Sequence, residues 1–479
     1  MIDIQIEPKQ FEYDIQSMVQ AFYVGQPFKI NEDLEESYRT LKVIFQEEKI
    51  TASLYDEAKK LFEDEICCDF QDRRETKNAL KKLLYCLMRK DIGQDLPWGN
   101  LTGIRPAKIP GMLKEQGLSD EAIRKEMKET YFISDNKLDL AMDVSNMEHK
   151  VLSNVNYKGN YSLYVGIPFC PTTCLYCSFT SYPLNRYKEK VDAYVDSVIK
   201  ELRFLGKQLQ DKELNSVYIG GGTPTTLEPA QLDRLINALK DNFDFSNVKE
   251  FTVEAGRPDS ITRDKLMTLK KQNVSRISIN PQTMNQETLD IIGRKHSVKQ
   301  VIQAFNLARD CGMDNINMDF IIGLPNETED MVKYSMEQAL KLAPDGITVH
   351  SLALKRGSRL NMNRQKYSDL NFDNNTKLMN ITKEYAYEMG MKPYYLYRQK
   401  NMAGNQENVG YSLPGKEGIY NILMMGDYQN VWACGAGAVT KLLSSDRKSA
   451  TRIDTLKNVD QYIDRIDEMI ERKRSYFVN

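Results

Sequence analysis

Histidine, tryptophan and long apolar stretches are all scarce in this sequence. The 479 residues include only 3 His and 2 Trp. Three imidazoles are too few for a metal centre built mainly from histidine. No apolar run approaches the roughly 18 residues of a membrane-spanning helix. The net charge of -2 gives no basic excess of the kind that nucleic-acid-binding proteins carry. We therefore expect neither a membrane span nor a nucleic acid partner.

Cysteine is too sparse for a disulfide-stabilised scaffold, with 8 residues in the whole chain. The first residues, MIDIQIEPKQ, lack the basic and then apolar pattern of an export signal. We expect a cytoplasmic protein that acts as a monomer. In a reducing compartment, clustered cysteines bind metal or take part in chemistry. The isolated pair Cys67 and Cys68 is predicted to be buried apolar packing.

The pattern of the chain changes twice, which predicts three domains. Residues 1–155 have the mixed composition of an α/β accessory domain, and a turn-rich stretch follows them. Residues 156–358 alternate regularly between strand and helix patterns. Residues 359–479 are predicted to form a mainly helical region that covers the substrate, beginning with a helix near 372–389. A glycine-rich stretch in this last region, ACGAGAVTK, lacks the spacing of a dinucleotide-binding loop and is predicted to be a turn.

Six strand patterns separated by helical patterns predict a parallel sheet in the middle domain. The candidate strands are 162–169, 216–222, 250–256, 274–282, 316–323 and 346–353. The clearest helix, 191–205, has apolar residues at helical spacing. Such βα units build either a doubly wound sheet or a partial barrel.

Polar residues along one face of several strands favour the barrel. In the fourth strand Ile277 and Ile279 share one face, whereas Ser278, Asn280 and Gln282 share the other. A parallel strand covered on both faces should be almost continuously apolar. A barrel that holds a polar ligand explains the alternation. A network of hydrogen bonds between strands, with no ligand, is the alternative.

Three cysteines with C-x3-C-x2-C spacing follow the first of these strands, at Cys170, Cys174 and Cys177. No fourth cysteine is nearby, although complete ligation of a [4Fe–4S] cluster takes four thiolates. Three thiolates can hold such a cluster and leave one iron open to another ligand. A zinc site closed by a distant residue and a coincidental grouping are the alternatives.

The triad resembles the signature of the radical S-adenosylmethionine (SAM) superfamily, including an aromatic residue, Tyr176, before the last cysteine. The resemblance implies a (βα)6 partial TIM-type barrel. It also implies a [4Fe–4S] cluster and SAM as cofactors, with the three cysteines as metal ligands at the catalytic centre. In this superfamily one electron from the cluster cleaves SAM to methionine and a 5′-deoxyadenosyl radical.

Further motifs resemble the oxygen-independent coproporphyrinogen III oxidase group. They include IPFC at 167–170, GGGTP at 220–224 and INMDFIIGLP at 316–325. By resemblance, the residues that contact SAM are Tyr164, Gly221, Gly222, Thr223, Glu254, Gln282, Arg294, Asp319 and Ala353. A buried structural acid is the alternative role for Asp319.

Segments outside the barrel, LTGIRPAKI and YYLYRQKNMAGNQENVGY, resemble the coproporphyrinogen dehydrogenase branch called HemZ. Three departures from the wider group stand out. Gly166 replaces the usual histidine before IPFC, and no additional cysteine follows the triad. The H-N-x-x-Y-W motif of haem-chaperone relatives is absent, which argues against haem delivery through that histidine.

The resemblance implies oxidative decarboxylation of two coproporphyrinogen III propionates to vinyl groups, giving protoporphyrinogen IX. The partners would be the porphyrinogen and a flavodoxin- or ferredoxin-like electron donor. Cationic side chains should anchor the substrate carboxylates, and the candidates are Arg105, Lys355, Arg356, Arg398 and Lys400. Tyr394, Tyr395 and Tyr397 either stack on the macrocycle or pack in a core. Another radical SAM reaction on a tetrapyrrole, or haem trafficking, is the competing function.

Overall fold

The computed structural model describes residues 1–32, 37–103, 105–353, 355, 357–362, 367, 369–372, 374–399 and 402–477. The chain forms two compact units rather than the three predicted domains. The first unit contains Met1–Met142 and Arg398–Gln406, and the second contains Asp143–Tyr397 and Glu407–Asn479. The first unit ends 13 residues before the predicted boundary at 155, and the second unit contains the predicted barrel together with most of residues 359–479, so the three-domain division stays a prediction. None of the described helices is both long and apolar enough to cross a bilayer.

The first unit is an α/β domain with a five-stranded sheet in the order β2-β1-β3-β4-β5. The strands are β1 (Ile2–Glu7), β2 (Phe28–Ile30), β3 (Arg39–Gln46), β4 (Lys49–Asp56) and β5 (Lys59–Cys67). The helices are α1 (Glu12–Phe22), α2 (Arg73–Ile92), α3 (Lys108–Glu115) and α4 (Asp120–Tyr131), and α5 (Asp135–Leu152) runs across the boundary between the units.

Alternating isoleucines in β1 pack with the apolar face of α2 and make the core of this unit. Helix α2 begins where Asp72 caps two backbone N–H groups and ends at Gly93, whose φ is +70°. Cys68 is buried, as predicted, but Cys67 is exposed at the end of β5.

The second unit contains an eleven-stranded sheet whose centre is the predicted parallel barrel. Its six consecutive parallel strands are β6 (Tyr161–Ile167), β9 (Leu214–Gly221), β10 (Glu250–Gly256), β11 (Arg276–Gln282), β12 (Ile316–Ile322) and β13 (Gly346–Ser351). A separate two-stranded pair is formed by β7 (Phe169–Cys170) and β8 (Tyr182–Pro183). All six predicted strands are confirmed, with boundaries within two residues.

Helices connect the parallel strands, as the βα pattern predicted. They are α6 (Leu184–Tyr187), α7 (Val191–Gln208), α8 (Pro229–Asn242), α9 (Arg263–Lys271), α10 (Gln286–Ile291), α11 (Val298–Asp310) and α12 (Glu329–Leu342). After the barrel come α13 (Arg359–Met362), α14 (Thr376–Glu388), α15 (Ile419–Met425), α16 (Val459–Asp464) and α17 (Ile466–Arg474).

The C-terminal region contributes strands to the barrel sheet, which differs from the mainly helical region that we predicted. The strands are β14 (Lys392–Tyr397), β15 (Asn408–Ser412), β16 (Asn430–Cys434), β17 (Val439–Leu443) and β18 (Ala450–Asp454). At one edge β15 pairs antiparallel with β13, and at the other β16 pairs parallel with β6. The ACGAGAVTK stretch is the predicted turn, between β16 and β17, with φ values of +107° and +73° at Gly435 and Gly437.

Side chains from the C-terminal region fill part of the barrel. Tyr394 and Tyr395 are 0% and 4% exposed, so they pack in the core rather than offer a stacking surface. The hydroxyl of Tyr394 lies 3.5 Å from an Nη atom of Arg276, and the backbone N–H of Tyr420 donates to Glu250. Buried polar groups of the strands are thus satisfied partly from within the protein.

The polar strand faces form hydrogen bonds with one another, as in the network that was the alternative to a ligand. Asn317 donates to Ser278 at 3.2 Å and accepts from Thr348 at 3.1 Å. Glu254 in β10 and Asp319 in β12 remain half-buried rather than enclosed. The interior therefore combines a structural network with an accessible polar end.

Candidate active site

The three cysteines lie together on the loop that begins at β7. The backbone N–H of Cys177 donates to the carbonyl oxygen of Cys174 at 3.3 Å, and Cys174 is the most buried of the three. Burial raises the pKa of the Cys170 thiol to about 12, and the other two thiols contribute in the same direction. The three thiols share one short loop and act on one another electrostatically, although the described side chains do not converge into a preformed metal-binding group.

Backbone and side-chain contacts fix the shape of this cysteine loop. The N–H of Leu175 donates to the carbonyl oxygen of Ile292 at 2.9 Å. Arg257, which is 3% exposed, donates from Nη1 to the carbonyl oxygen and the hydroxyl of Thr172 at 3.0 and 2.6 Å. The sequence reasoning missed Arg257. The only available signal was an arginine directly after a barrel strand.

The glycine-rich turn after β9 packs directly against the cysteine-bearing strand. The N–H groups of Gly222 and Thr223 donate to the carbonyl oxygens of Ile167 and Phe169 at 2.8 and 2.7 Å. A Cβ at Gly222 would lie 2.6 Å from the Phe169 carbonyl oxygen. The Thr223 hydroxyl lies 3.5 Å from the Cys170 sulfur. Glycine is therefore required here for close packing, whatever else the turn contacts.

Two carboxyl groups, Glu254 in β10 and Asp319 in β12, are on barrel strands separated by β11. Burial raises the pKa of Glu254 to about 7, although its carboxylate accepts a hydrogen bond from the Tyr218 hydroxyl at 2.5 Å. Burial also acts to raise the pKa of Asp319. His350, Arg276 and Asn317 outweigh it and hold that pKa below its usual range. The two acids thus differ in their readiness to ionise near neutral pH.

Arg294 joins the cysteine loop to the barrel end. It is 4% exposed, and it donates to the hydroxyl of Tyr176 at 3.1 Å and to the carbonyl oxygen of Asn280 at 2.6 Å. Its buried Nε has no hydrogen-bond partner among the described residues. An orphaned charged donor beside the loop can bind an anionic group such as a carboxylate.

The remaining predicted SAM contacts lie near the same end of the barrel. Tyr164 stacks with Tyr218, with ring centroids 6.2 Å apart. Gln282 has a φ of +71° at a bulge in β11, a conformation that is costly without glycine and often found at functional sites. Ala353 is half-buried just after β13. The structure thus brings the predicted cysteine and SAM residues together in one unit.

The predicted substrate cations are not brought together in this way. Lys355 is half-buried beside the cysteine loop, with its ammonium 5.4 Å from the Phe179 ring centroid. Arg356 and Lys400 lie outside the described residues. Arg105 and Arg398 belong to the first unit. Arg398 is 8% exposed, and its guanidinium donates to the carbonyl oxygens of Leu101 and Asn405. These contacts favour a structural role for Arg398.

Comparison with known proteins agrees with this site. Residues 164–339 match the profile of the Radical SAM superfamily. The oxygen-independent coproporphyrinogen-III oxidase-like protein HemZ of Bacillus subtilis is 38% identical over 84% of this chain and 81% of its own length. This chain belongs to the radical SAM superfamily and to the HemZ-like family within it. Its cofactors are accordingly a [4Fe–4S] cluster and SAM, and the thiol set and the orphaned Arg294 donor fit them.

Other relatives in the superfamily carry different names. The heme chaperone HemW of Lactococcus lactis is 32% identical over 66% of this chain and 78% of its own length. The crystal structure of coproporphyrinogen III oxidase HemN from Escherichia coli has a TM-score of 0.52 and 22% identity, covering 67% of this chain and 73% of that one. The HemN likeness supports the fold alone. Because the superfamily includes both oxidases and haem chaperones, membership alone does not distinguish catalysis from haem trafficking.

Proposed function

We propose that this protein is a radical SAM oxidoreductase that converts two propionates of coproporphyrinogen III to vinyl groups without oxygen, giving protoporphyrinogen IX. The extended similarity to a protein named as oxidase-like supports this. The histidines support it as well. His296 is 1% exposed, His350 faces the barrel interior, and neither belongs to the haem-chaperone motif. The remaining histidine, His149, is on the surface of α5.

The observation that carries the proposal is the position of Lys355. Burial lowers the pKa of its ammonium group, and no carboxylate of the described chain contributes a compensating charge. Among the described groups, Cys177 is the one titratable neighbour that acts on the pKa of Lys355, and it acts to raise it. A half-buried cation is stabilised by an anionic partner. A propionate held by Lys355 would bring its reacting carbon close to the cofactors.

The chain's own residues bind and orient the cofactors in this proposal. Cys170, Cys174 and Cys177 ligate the cluster, while Arg294, Glu254 and Asp319 hold polar groups of SAM. When bound, the cluster and SAM supply a primary carbon radical able to remove a hydrogen atom. The tyrosine-filled barrel keeps water away from the reacting carbon.

Each propionate would lose a hydrogen atom from its β-carbon, then CO2 and one electron, to leave a vinyl group. The electron requires an external acceptor. Reduction of the cluster requires an external donor, which we propose is a flavodoxin- or ferredoxin-like protein.

Anaerobic incubation of the reconstituted protein with SAM, dithionite and coproporphyrinogen III tests the proposal. We expect 5′-deoxyadenosine, CO2 and a divinyl product, detected by fluorescence after oxidation. Deoxyadenosine without CO2 would contradict the decarboxylation and support another tetrapyrrole reaction. Stoichiometric haem retention without SAM cleavage would contradict catalysis and support trafficking. As a second readout, Lys355→Gln should raise the KM for coproporphyrinogen while leaving the affinity for SAM unchanged.

A further inference from the structure

His350 lies on the polar face of β13, next to the acid that we assign to SAM binding. Its Nε2 is 3.9 Å from Oδ2 of Asp319, and its Nδ1 is 3.5 Å from the hydroxyl of Tyr397. The His350 side chain is 27% exposed and that of Asp319 is 20% exposed. Both groups therefore remain accessible within the second unit.

The two oxygens of the Asp319 carboxylate have different surroundings. Oδ1 accepts a hydrogen bond from Asn317 at 2.7 Å, and Asn317 is in turn held by Thr348. Oδ2 faces the imidazole of His350 instead. One oxygen is thus held by the barrel network, while the other lies opposite His350.

Tyr397 connects this pair to the C-terminal strands. It ends β14, which pairs with β15, and β15 in turn pairs with β13. The contact to Nδ1 therefore comes from a strand outside the parallel barrel. A ring nitrogen engaged by one partner determines which nitrogen is available to the other.

We infer that His350, held by Tyr397, is a positioning residue that orients the Asp319 carboxylate toward SAM. The Asp319 carboxylate would accept a hydrogen bond from a hydroxyl of the SAM ribose. His350 acts through Asp319 and is not itself assigned a cofactor contact. The inference depends on the proposed SAM contact of Asp319 but not on the tetrapyrrole reaction, so the two can fail separately.

Equilibrium dialysis of SAM against the anaerobically reconstituted protein tests this inference without turnover. Residues in direct contact are coupled by several-fold in affinity or more, so we expect His350→Phe to raise the Kd for SAM by roughly tenfold. His350→Gln keeps a donor and should recover most of the affinity. His149→Phe, on the exposed surface of α5, is the matched control and should bind SAM like the parent.

A double-mutant cycle separates positioning from a general structural effect. Asp319→Asn alone should weaken SAM binding, and adding His350→Phe to it should weaken binding no further. Full additivity of the two changes would overturn the inference, because His350 would then act independently of Asp319. A Kd for His350→Phe within twofold of the parent would also overturn it. If His350→Phe fails to fold, Tyr397→Phe takes its place in the cycle, and adding it to Asp319→Asn should again weaken SAM binding no further.

Discussion

Arg257 donates hydrogen bonds to Thr172, a residue between the first two cysteines of the loop. One guanidinium nitrogen donates to both the carbonyl and the hydroxyl of Thr172, at 3.0 and 2.6 Å. Two others hold the carboxylate of Asp259 at 2.9 and 2.6 Å. Arg257, directly after β10, thus restrains the cysteine loop, and this restraint should also limit the movement of the three cysteines.

Arg257→Gln should therefore loosen the cysteine loop. Since a hydrogen bond from a charged donor contributes about 1.5–3 kcal/mol, we expect the cluster to be lost to a chelator roughly tenfold faster. The decay of cluster absorbance measures this. The control is Arg234→Gln, which removes a surface arginine that pairs with Asp192 and Asp196. The cluster of this variant should be lost at the same rate as that of the parent protein. Equal decay of the Arg257 variant would show that Thr172 needs no such support.

Cys174→Ala should abolish cluster absorbance and SAM cleavage together. Loss of one of three ligands leaves the cluster with too few protein donors to remain bound. Iron analysis and deoxyadenosine formation give the two readouts. Cys67→Ala, at an exposed position in the first unit, serves as the control and should retain both. SAM cleavage that survives in the Cys174 variant would contradict the ligand assignment.

SAM binding should depend on pH through Glu254. Because its pKa is raised to about 7, this carboxyl becomes protonated as the pH falls through neutrality. The ionised form is the better hydrogen-bond acceptor for ribose hydroxyls, so the affinity for SAM should rise as the pH increases from about 6 to 8. Below the pKa the rise should be at most roughly tenfold per pH unit, and above it the affinity should level off.

Dialysis of SAM at several pH values measures this dependence. Among the described residues, the titratable groups that act on Glu254 are Tyr164, Tyr218, Asp319, His350 and Tyr420. Glu254→Gln should flatten the profile while leaving these neighbours in place. An unchanged profile in that variant would assign the pH dependence to another group.

Gly222→Ala should destabilise the protein through backbone crowding. The added methyl group would lie 2.6 Å from the carbonyl oxygen of Phe169, and overpacking of this kind costs about 1–3 kcal/mol. The urea midpoint of the cluster-free protein should fall accordingly. Gly357→Ala introduces the same methyl group where no atom of the described residues lies within 4 Å, and it should leave the midpoint unchanged. Equal midpoints for both variants would contradict the packing role.

The parallel barrel was predictable because each strand carries its own periodic signal. The C-terminal strands were not, since each is only five or six residues long, and β15 and β16 join the sheet through partners outside the C-terminal region. For example, Asn430 in β16 aligns with Tyr161 in β6. Cysteine spacing indicated the cluster site, but Arg257 and His350 could not be identified from spacing. Their roles depend on contacts with residues on other strands and loops, which local patterns do not encode.

Mössbauer spectroscopy of the anaerobically purified, iron-57-reconstituted protein tests the central claim most directly. A [4Fe–4S] cluster held by Cys170, Cys174 and Cys177 has one iron without a protein thiolate. The spectrum of that single iron should shift when SAM is added, while the other three remain unchanged. Absence of a cluster, or a four-iron spectrum that SAM leaves untouched, would contradict the account.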